Sequence, residues 1–234
     1  MRIGVMQPYF YPYLGYFHLA NAVDVLVLTD NYKFTKQSWI NRNRIINEKR
    51  IEYLSIPLMR STDASRINEK IIAREFKPQD IRNKLYNSYH SSPNFEGICE
   101  VLDSEKFLPG SNFFEVLESS LKVTLRYLGI QTKIMRTSDF QFPDFFKGTD
   151  KILHMCSELN ASEYSNLSGG KGLYSFTDFK SAGVKLSFVQ SSFTEYQQNS
   201  ESFIPGLSII DIIARNVNKE SMQSQLASFE LAYE

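Results

Sequence analysis

Cysteine is scarce in this sequence, and the residues that commonly bind metals are not grouped. The only two cysteines are Cys99 and Cys156, too few and too far apart in the chain to indicate a disulfide framework. The three histidines form no metal-ligand spacing with cysteines or acidic residues. We therefore expect no metal site and no tightly bound cofactor.

Long apolar runs are also missing. No run approaches the ~20 residues that a membrane-spanning helix needs. The apolar N-terminal stretch is interrupted by Gln7 and Pro8, unlike a secretory signal peptide. Internal repeats and low-complexity linkers are absent as well. We expect a cytoplasmic protein without a membrane span and without a nucleic-acid partner.

Apolar residues are plentiful, and the charge is balanced but unevenly placed. Hydrophobic residues make up 42% of the sequence, so we predict one domain over residues 1 to 234, with room for a helical, basic subdomain around residues 33 to 128. From Lys33 to Lys84 there are 13 Lys and Arg against 6 Asp and Glu, a net charge of +7. This segment suits an anionic ligand, although a solvated surface is an equally simple interpretation.

The first thirty residues predict a strand, a helix and a second strand. Residues 2 to 6 and 25 to 29 are short apolar runs typical of buried strands, and residues 12 to 22 suit a helix that opens on a proline. Such a unit is parallel, and open parallel sheets bind ligands at the carboxyl ends of their strands. Gln7 and Asp30 follow those ends, and we place the site there.

Strand and helix patterns alternate through the rest of the chain, which predicts a Rossmann-like α/β fold: a layered, mostly parallel sheet with flanking helices and an inserted basic loop and strand segment. Ser208 suits the N-cap of the last helix. The other predicted helices cover residues 78–89, 95–102, 112–128, 149–159 and 174–182, and the other predicted strands cover residues 50–58, 67–73, 131–137, 162–165 and 184–189.

Residues 31 to 44 mix cations, amides and aromatics without a regular period. Lys36, Asn41 and Arg42 can hold a carboxylate or a phosphate, and Trp39 offers a flat face to a sugar or a base. In a structural role, the aromatics would cap the core and the cations would stay in water. We interpret the segment as a binding loop.

Asp30 is the strongest candidate for a catalytic acid or base. It ends a predicted central strand near Lys36 and can hold or deprotonate an amine. The alternative is that it caps the loop that follows. His18 and His90 are weaker candidates for a base, and Cys156, in the middle of a predicted helix, suits the core.

Glycines follow the predicted strand at residues 162 to 165. Gly169 and Gly170 come directly after Ser168 and would expose backbone amides to an anion or an oxyanion. The pattern is neither a P-loop nor a dinucleotide fingerprint, and an ordinary strand-to-helix turn would look similar.

Short motifs occur in order along nearly the whole chain, and together they resemble the WbqC-like family. Two departures are Lys33, where Gln is expected, and the absence of a His near Phe76. The motifs are Gln7-Pro8, Pro12, Gly15-Tyr16-Phe17, Asp24, Asp30, Lys36, Trp39, Asn41-Arg42-Asn43, Tyr164, Ser168-Gly169-Gly170, Leu173-Tyr174 and residues 207 to 211.

The resemblance implies a function in bacterial O-antigen and related polysaccharide biosynthesis, as a transferase of glycine or a similar acyl group onto an amino sugar or its nucleotide conjugate. Acyl transfer of this kind needs an activated donor that the amine can attack directly, either a thioester of coenzyme A or of a carrier protein, or an adenylate. The alternative is a non-catalytic protein that binds a sugar nucleotide or a carrier protein. We predict two groups of site residues. The catalytic residues are Asp30, Tyr16 and Lys36, and the substrate-binding residues are Gln7, Tyr13, Trp39, Asn41, Arg42, Tyr164, Ser168, Gly169, Gly170 and Tyr174.

The N-terminal unit is also similar, at the level of the fold, to the nucleotidylyltransferases and pantothenate synthetases that carry a His-x-Gly-His motif. Tyr13, Gly15 and Tyr16 occupy the place of that motif here. Tyrosine is uncharged at neutral pH and cannot stabilise a phosphate as imidazolium does. We expect the fold to be shared and the adenylyl-transfer chemistry to be lost, so that a nucleotidylyltransferase-like enzyme is a third hypothesis, which the missing histidines disfavour.

Overall fold

The computed structural model describes residues 1–62, 64–103, 107–216 and 218–233. These residues form a six-stranded sheet and a separate two-stranded hairpin. The sheet contains β1 (Arg2–Met6), β2 (Val25–Leu28), β5 (Lys133–Arg136), β6 (Glu163–Leu167), β7 (Lys185–Ser191) and β8 (Phe229–Tyr233), and the hairpin contains β3 (Arg42–Asn47) and β4 (Arg50–Ser55). The helices are α1 (Leu14–Ala22), α2 (Pro78–Tyr89), α3 (Phe95–Asp103), α4 (Phe113–Tyr127), α5 (Thr149–Glu158), α6 (Phe176–Ser181), α7 (Ile209–Arg215) and α8 (Lys219–Ala227).

The sheet has the order β5-β2-β1-β6-β7-β8. Its first five strands are parallel, and β8 pairs antiparallel with β7. The predicted Rossmann-like α/β class is therefore confirmed. Strand β1 pairs with β2 on one side and with β6 on the other, so the strand order reverses at β1. In such sheets the ligand crevice lies outside the carboxyl ends of the strands at that reversal.

The predicted parallel pairing of the first two strands is confirmed, with Ile3 opposite Val25. All four residues of β2 are buried, as expected of a parallel strand covered on both faces. Leu26 and Leu28 belong to the larger core, which includes residues of α1, α4 and α7. Val25 and Val27 belong to a smaller core with α5 and α6. Helix α1 is buried from Leu14 to Ala20, because it lies between the sheet and α8.

Two segments differ from the sequence prediction. Residues 42 to 44, interpreted as the end of a loop, belong to β3, which pairs in register with β4 across a turn at Glu48 and Lys49, both in the left-handed region with φ of 46° and 64°. Residues 67 to 73, predicted as a strand, begin with a short 3-10 helix (Ile67–Glu69). Burial of Ile67 and a hydrogen bond from the Arg66 backbone N–H to Glu69 favour this turn.

The chain also continues beyond the helix that was predicted to be last. Ser208 caps α7 as predicted, since its Oγ accepts from the Ile210 backbone N–H at 3.3 Å. Helix α8 and the edge strand β8 then follow. Among the described residues, no helix is long and apolar enough to cross a membrane.

Candidate functional site

A cavity of about 340 Å³ opens where β1 and β6 end. Met6 ends β1 and Leu167 ends β6, so the cavity lies at the point where the strand order reverses, the place at which open α/β sheets bind ligands. Residues of the N-terminal segment, the hairpin and the segment before α7 complete its walls. The lining residues are Met6, Tyr9, Tyr13, Trp39, Asn43, Arg44, Leu167 and Gly206.

The hairpin fixes the N-terminal segment that forms one side of the cavity. Asn43, buried in β3, donates its side-chain N–H to the carbonyl oxygens of Phe10 and Tyr11 at 3.1 and 2.8 Å. The Phe10 backbone N–H donates to the carbonyl of Trp39 at 3.2 Å. Tyr11 has a φ of 40°, uncommon for a non-glycine residue. These bonds hold the segment in a conformation that few sequences adopt unaided.

Two tyrosines bring hydroxyl groups to the cavity. Tyr9 and Tyr13 are half-buried, and burial raises the pKa of both. Among the described residues, neither hydroxyl has a hydrogen-bond partner. Both stay protonated at neutral pH and can donate to an oxygen of a ligand. A Cβ at Gly15 would lie 2.5 Å from Cε2 of Tyr13, so glycine at this position leaves room for the Tyr13 ring.

Arg44 forms the cationic side of the cavity. Its Nη2 donates to the carbonyl oxygens of Pro205 and Gly206 at 3.1 and 3.0 Å, and its Nε is buried without a partner among the described residues. Gly206 has a φ of 70°, and a Cβ there would lie 3.0 Å from Nη2. The close approach places the guanidinium against the backbone of the opposite wall and leaves it other N–H groups for an anion.

Two arginines and two aromatic rings stack on the outer face of the hairpin; we call this set the guanidinium–aromatic stack. The guanidinium of Arg44 lies 5.5 Å from the Trp39 ring centre, and that of Arg42 lies 4.7 Å from the Tyr53 ring centre. The rings of Trp39 and Tyr53 are 6.4 Å apart and inclined by 24°. The stack is Arg44, Trp39, Tyr53 and Arg42, and it begins at the mouth of the cavity because Trp39 and Arg44 line both.

Asp30 is not among the residues that line the cavity, and it is 2% exposed. Its Oδ1 accepts from the Thr137 hydroxyl at 2.8 Å and the Ser138 backbone N–H at 3.0 Å, and its Oδ2 accepts from Asn68 at 3.1 Å. Burial raises the pKa of Asp30, but these hydrogen bonds outweigh it and lower the pKa overall. The carboxylate ties the end of β2 to the end of β5, and its predicted function as a base stays a prediction.

The remaining predicted residues of the N-terminal half divide among three places. Tyr16 is buried beneath the cavity, where burial raises the pKa of its hydroxyl and that hydroxyl donates to the Gln7 carbonyl at 3.2 Å. Asn41 donates to the Ile56 carbonyl at 3.0 Å. Lys36 lines a separate depression with Lys33. The structure therefore brings Tyr13 and Trp39 together in the cavity, with Arg42 beside them.

The predicted residues of the glycine-rich region form their own cluster at the end of β6. Asn166 donates to the hydroxyls of Tyr164 and Tyr174 at 2.9 and 2.6 Å, and Tyr164 packs in the smaller core. Ser168, Gly169 and Gly170 lie in the 3-10 helix Ser168–Leu173. None of them lines the cavity, whose residue from this region is Leu167. Their functions stay predictions.

Of the eight residues that line the cavity, the sequence predicted only Tyr13 and Trp39 as site residues, and Arg44, Tyr9 and Gly206 are among the six that it missed. Arg44 is two positions after Arg42, and the period of a strand places such residues on one face; had β3 been recognised, Arg44 would have been found. Tyr9 lies in the proline-rich segment next to Pro8 and carried no separate signal. Gly206 is 162 positions from Arg44, and nothing local in the sequence indicates their contact.

The histidines and cysteines discussed above lie elsewhere. His18 is fully buried, donates from Nε2 to the Gln225 carbonyl at 2.8 Å, and has its pKa lowered by burial. Burial raises the pKa of the Cys156 thiol to about 12. His90 bonds the Tyr86 carbonyl on α2. Among the described residues, no group of three or more potential ligands could hold a metal ion.

The fold and the cavity define an α/β protein of Rossmann-like topology with a candidate ligand site at the strand-order reversal. The chain belongs to the WbqC-like protein family, whose model matches residues 7 to 223. It is 24% identical over 226 residues to the Uncharacterized protein Rv1507c of Mycobacterium tuberculosis (strain ATCC 25618 / H37Rv), a match that covers 94% of this chain and 95% of that protein. No solved structure matches the chain.

Proposed function

We propose that this protein binds an amino sugar, carried as a nucleotide conjugate, in the cavity and transfers a glycyl or similar acyl group onto its amine during assembly of a bacterial surface polysaccharide. One observation carries the proposal. The cavity at the strand-order reversal combines the Tyr9 and Tyr13 hydroxyls, which have no partner among the described residues, with the Arg44 guanidinium and the Trp39 indole. The assignment to polysaccharide biosynthesis is supported by membership of the WbqC-like family and by the sequence motifs that resemble those of that family.

The reaction has a simple balance. The amine nitrogen attacks the acyl carbon of a thioester, a C–N bond forms, the C–S bond breaks, and the thiol leaves with the proton that the amine gives up. Negative charge develops on the acyl oxygen. Hydroxyl groups aimed at that oxygen stabilise the transition state, and each such donor contributes about 10²–10³-fold in rate. Tyr9 and Tyr13 are suited to this because their raised pKa values keep them protonated.

The other lining residues are suited to binding the acceptor, the nucleotide-linked amino sugar. Arg44 can bind a diphosphate through charge-assisted hydrogen bonds, and the exposed face of Trp39 can pack against the apolar face of a sugar ring. Met6 and Leu167 make the inner wall apolar. An apolar wall lowers the local dielectric constant, which strengthens the polar contacts made beside it.

No Asp, Glu, His, Cys or Lys stands among the described lining residues of the cavity, so in this proposal the amine proton passes to the departing thiolate or to water. In this proposal Asp30 and Lys36 have no catalytic function. Asp30 instead positions the end of β2, and Lys36 contributes positive charge near the cavity. A cavity lined in this way also favours a second candidate function, that of a non-catalytic protein that binds the sugar nucleotide.

The test is a product assay with a matched pair of tyrosine variants. Purified protein is incubated with nucleotide-linked 4-amino sugars and with coenzyme A or carrier-protein thioesters, and products are detected by mass spectrometry. We expect an acylated sugar with the wild type and a loss of turnover of about 10²-fold or more in Tyr13→Phe. The control is Tyr86→Phe, which changes an exposed tyrosine on α2.

One result would contradict the transferase, and another would contradict the function given to Tyr13. Ligand binding without product from any donor would favour the binding protein. Product formation at the same rate in wild type and Tyr13→Phe would remove this hydroxyl from the reaction.

A further inference from the structure

The guanidinium–aromatic stack leaves two flat apolar rings in water. Trp39 is 38% exposed and Tyr53 is 45% exposed, although both are large side chains that contribute most when covered. Their faces lie nearly parallel, inclined by 24°. A guanidinium group lies at each end of the stack. The surface therefore offers two partly exposed aromatic side chains with a guanidinium group against each.

Backbone pairing holds the stack in place without a ligand. In the β3–β4 register Arg44 lies opposite Tyr53, and Arg42 lies opposite Ser55, so both arginines project from the same face of the hairpin. The Arg42 Nη2 also donates to the Gln37 carbonyl at 2.6 Å. Because these side chains are already ordered, a ligand that binds them loses little further entropy.

The electrostatics of this face favour an anion. Glu52 is adjacent to Tyr53 in β4, and alternation places its side chain on the opposite face. There it accepts from Asn47 at 2.9 Å and pairs with Lys84 at 2.9 Å. Within the two strands, the described side chains of the stack face are thus cationic, aromatic or neutral, whereas the carboxylate is turned away.

We propose that the guanidinium–aromatic stack binds the nucleoside diphosphate part of the nucleotide-linked substrate, with the base against the exposed part of the Tyr53 ring and the phosphates on the guanidinium groups of Arg42 and Arg44. This rests on the proposed function for the position of the sugar. Arg44 belongs to both the stack and the cavity, so a diphosphate bound to it leaves the attached sugar at the cavity mouth. The acceptor is therefore recognised by its nucleotide as well as by its amine.

Tryptophan fluorescence can be used to follow ligand binding at this site. Trp39 is its single tryptophan, so intrinsic fluorescence reports directly on the stack. Wild-type protein is titrated with UDP, ADP, GDP, CDP and dTDP, and separately with inorganic pyrophosphate, ribose 5-phosphate and a single-stranded oligonucleotide. We expect saturable quenching by at least one nucleoside diphosphate, and none by pyrophosphate or ribose 5-phosphate at the same concentrations.

A pair of alanine variants locates the effect. Tyr53→Ala removes one exposed ring of the stack, and we expect the dissociation constant of the quenching nucleotide to rise about tenfold or more. Tyr86→Ala removes a ring of similar exposure on α2, and we expect no change. Equal melting temperatures of both variants and wild type establish that folding is retained.

Four outcomes would overturn the inference: no quenching by any nucleoside diphosphate, equal binding of pyrophosphate, tighter binding of the oligonucleotide than of any mononucleotide, or an unchanged dissociation constant in Tyr53→Ala. Failure of the transferase is distinguishable from these. Nucleotide quenching that Tyr53→Ala weakens, with no acylated product from any donor, supports the nucleotide site and contradicts acyl transfer. Acylation of a nucleotide-linked sugar at an unchanged rate and KM in Tyr53→Ala contradicts the nucleotide site alone.

Discussion

The Tyr89 hydroxyl donates a hydrogen bond to the Asp211 carboxylate at 2.9 Å, although 122 positions separate the two residues. Asp211 is fully buried, and its second oxygen accepts from the Tyr196 hydroxyl at 2.8 Å. Tyr89 in turn accepts from the Ile46 backbone N–H at 3.2 Å. One carboxylate thus connects α7, α2, the hairpin and the segment that leads to Gly206 at the cavity wall.

The first prediction concerns the pH dependence of stability at Asp211. Burial raises its pKa, and although hydrogen bonds from Tyr196 and Tyr89 and the charge of Arg215 lower it, the pKa stays above its ordinary value. The folded state therefore holds this proton more tightly than the unfolded state, and the contribution to stability is full at low pH and is lost as pH rises through the folded pKa.

The measurement compares wild type with Asp211→Asn, which does not titrate. In urea unfolding between pH 4 and pH 7, we expect the wild type to lose stability relative to the variant as pH rises. A relative gain for the wild type over that range would show that the carboxylate is stabilised as an anion. Asp144→Asn, at an exposed position, is the control for the removal of one carboxylate.

The second prediction separates a structural Asp30 from a catalytic one. Asp30→Asn removes the charge that three donors share, and we expect the free energy of unfolding at pH 7 to fall by about 1–3 kcal/mol. Because the folded pKa of Asp30 is lowered, this contribution is present above the ordinary pKa and is lost as pH falls through the lowered one.

Turnover is the second readout for Asp30. In the proposed function, turnover per folded molecule falls by less than about tenfold, since the carboxylate touches no reacting atom. Removal of a general base lowers turnover by about 100-fold or more at unchanged ligand affinity. That result would show that Asp30 is a catalytic residue.

The third prediction concerns the ion pair between α4 and the end of β5. Glu118 is buried and accepts from Arg136 through both oxygens, at 3.0 and 2.6 Å. We expect Glu118→Gln to lower the free energy of unfolding by about 1–3 kcal/mol, because the two N–H donors of Arg136 lose their charged acceptor. Glu158→Gln is the control at an exposed acid that pairs with His154, and we expect a change below about 1 kcal/mol. Equal losses in chemical denaturation would contradict the prediction.

The fourth prediction concerns Gly15 in the first turn of α1. Alanine favours a helix by about 1 kcal/mol over glycine, but its Cβ would lie 2.5 Å from the Tyr13 ring. The ring is the far end of a side chain and can rotate away, so we expect Gly15→Ala to fold and to bind ligand at least tenfold more weakly. Gly172→Ala, where a Cβ meets nothing within 4 Å, should leave calorimetric affinity unchanged. Wild-type affinity in Gly15→Ala would exclude Tyr13 from the site.

The fold could be predicted wherever the pattern is local. Strands β1 and β2 are continuous apolar runs, and α4 begins at the Asn112 cap, whose side chain accepts from the Glu115 backbone N–H. Strand β3 could not be predicted in this way. Its sequence alternates poorly because both Ile45 and Ile46 are buried, and its conformation depends on pairing with β4.

The site could be predicted only in part for the same reason. Tyr13 and Trp39 lie in segments whose position beside strand ends follows from the chain order. The approach of Gly206 to Arg44 depends on α7 docking against the N-terminal segment, where the Ile209 backbone N–H donates to the Pro12 carbonyl at 2.9 Å. Such contacts are properties of the packed fold, and residue types do not reveal them.

The most direct measurement is a crystal structure of the protein soaked with a nucleotide-linked amino sugar. We expect the sugar amine to lie in the cavity with a hydroxyl of Tyr9 or Tyr13 near it, and the phosphates to contact Arg44. A ligand bound instead in the depression at Lys33 and Lys36, with the cavity free of sugar, would contradict this expectation.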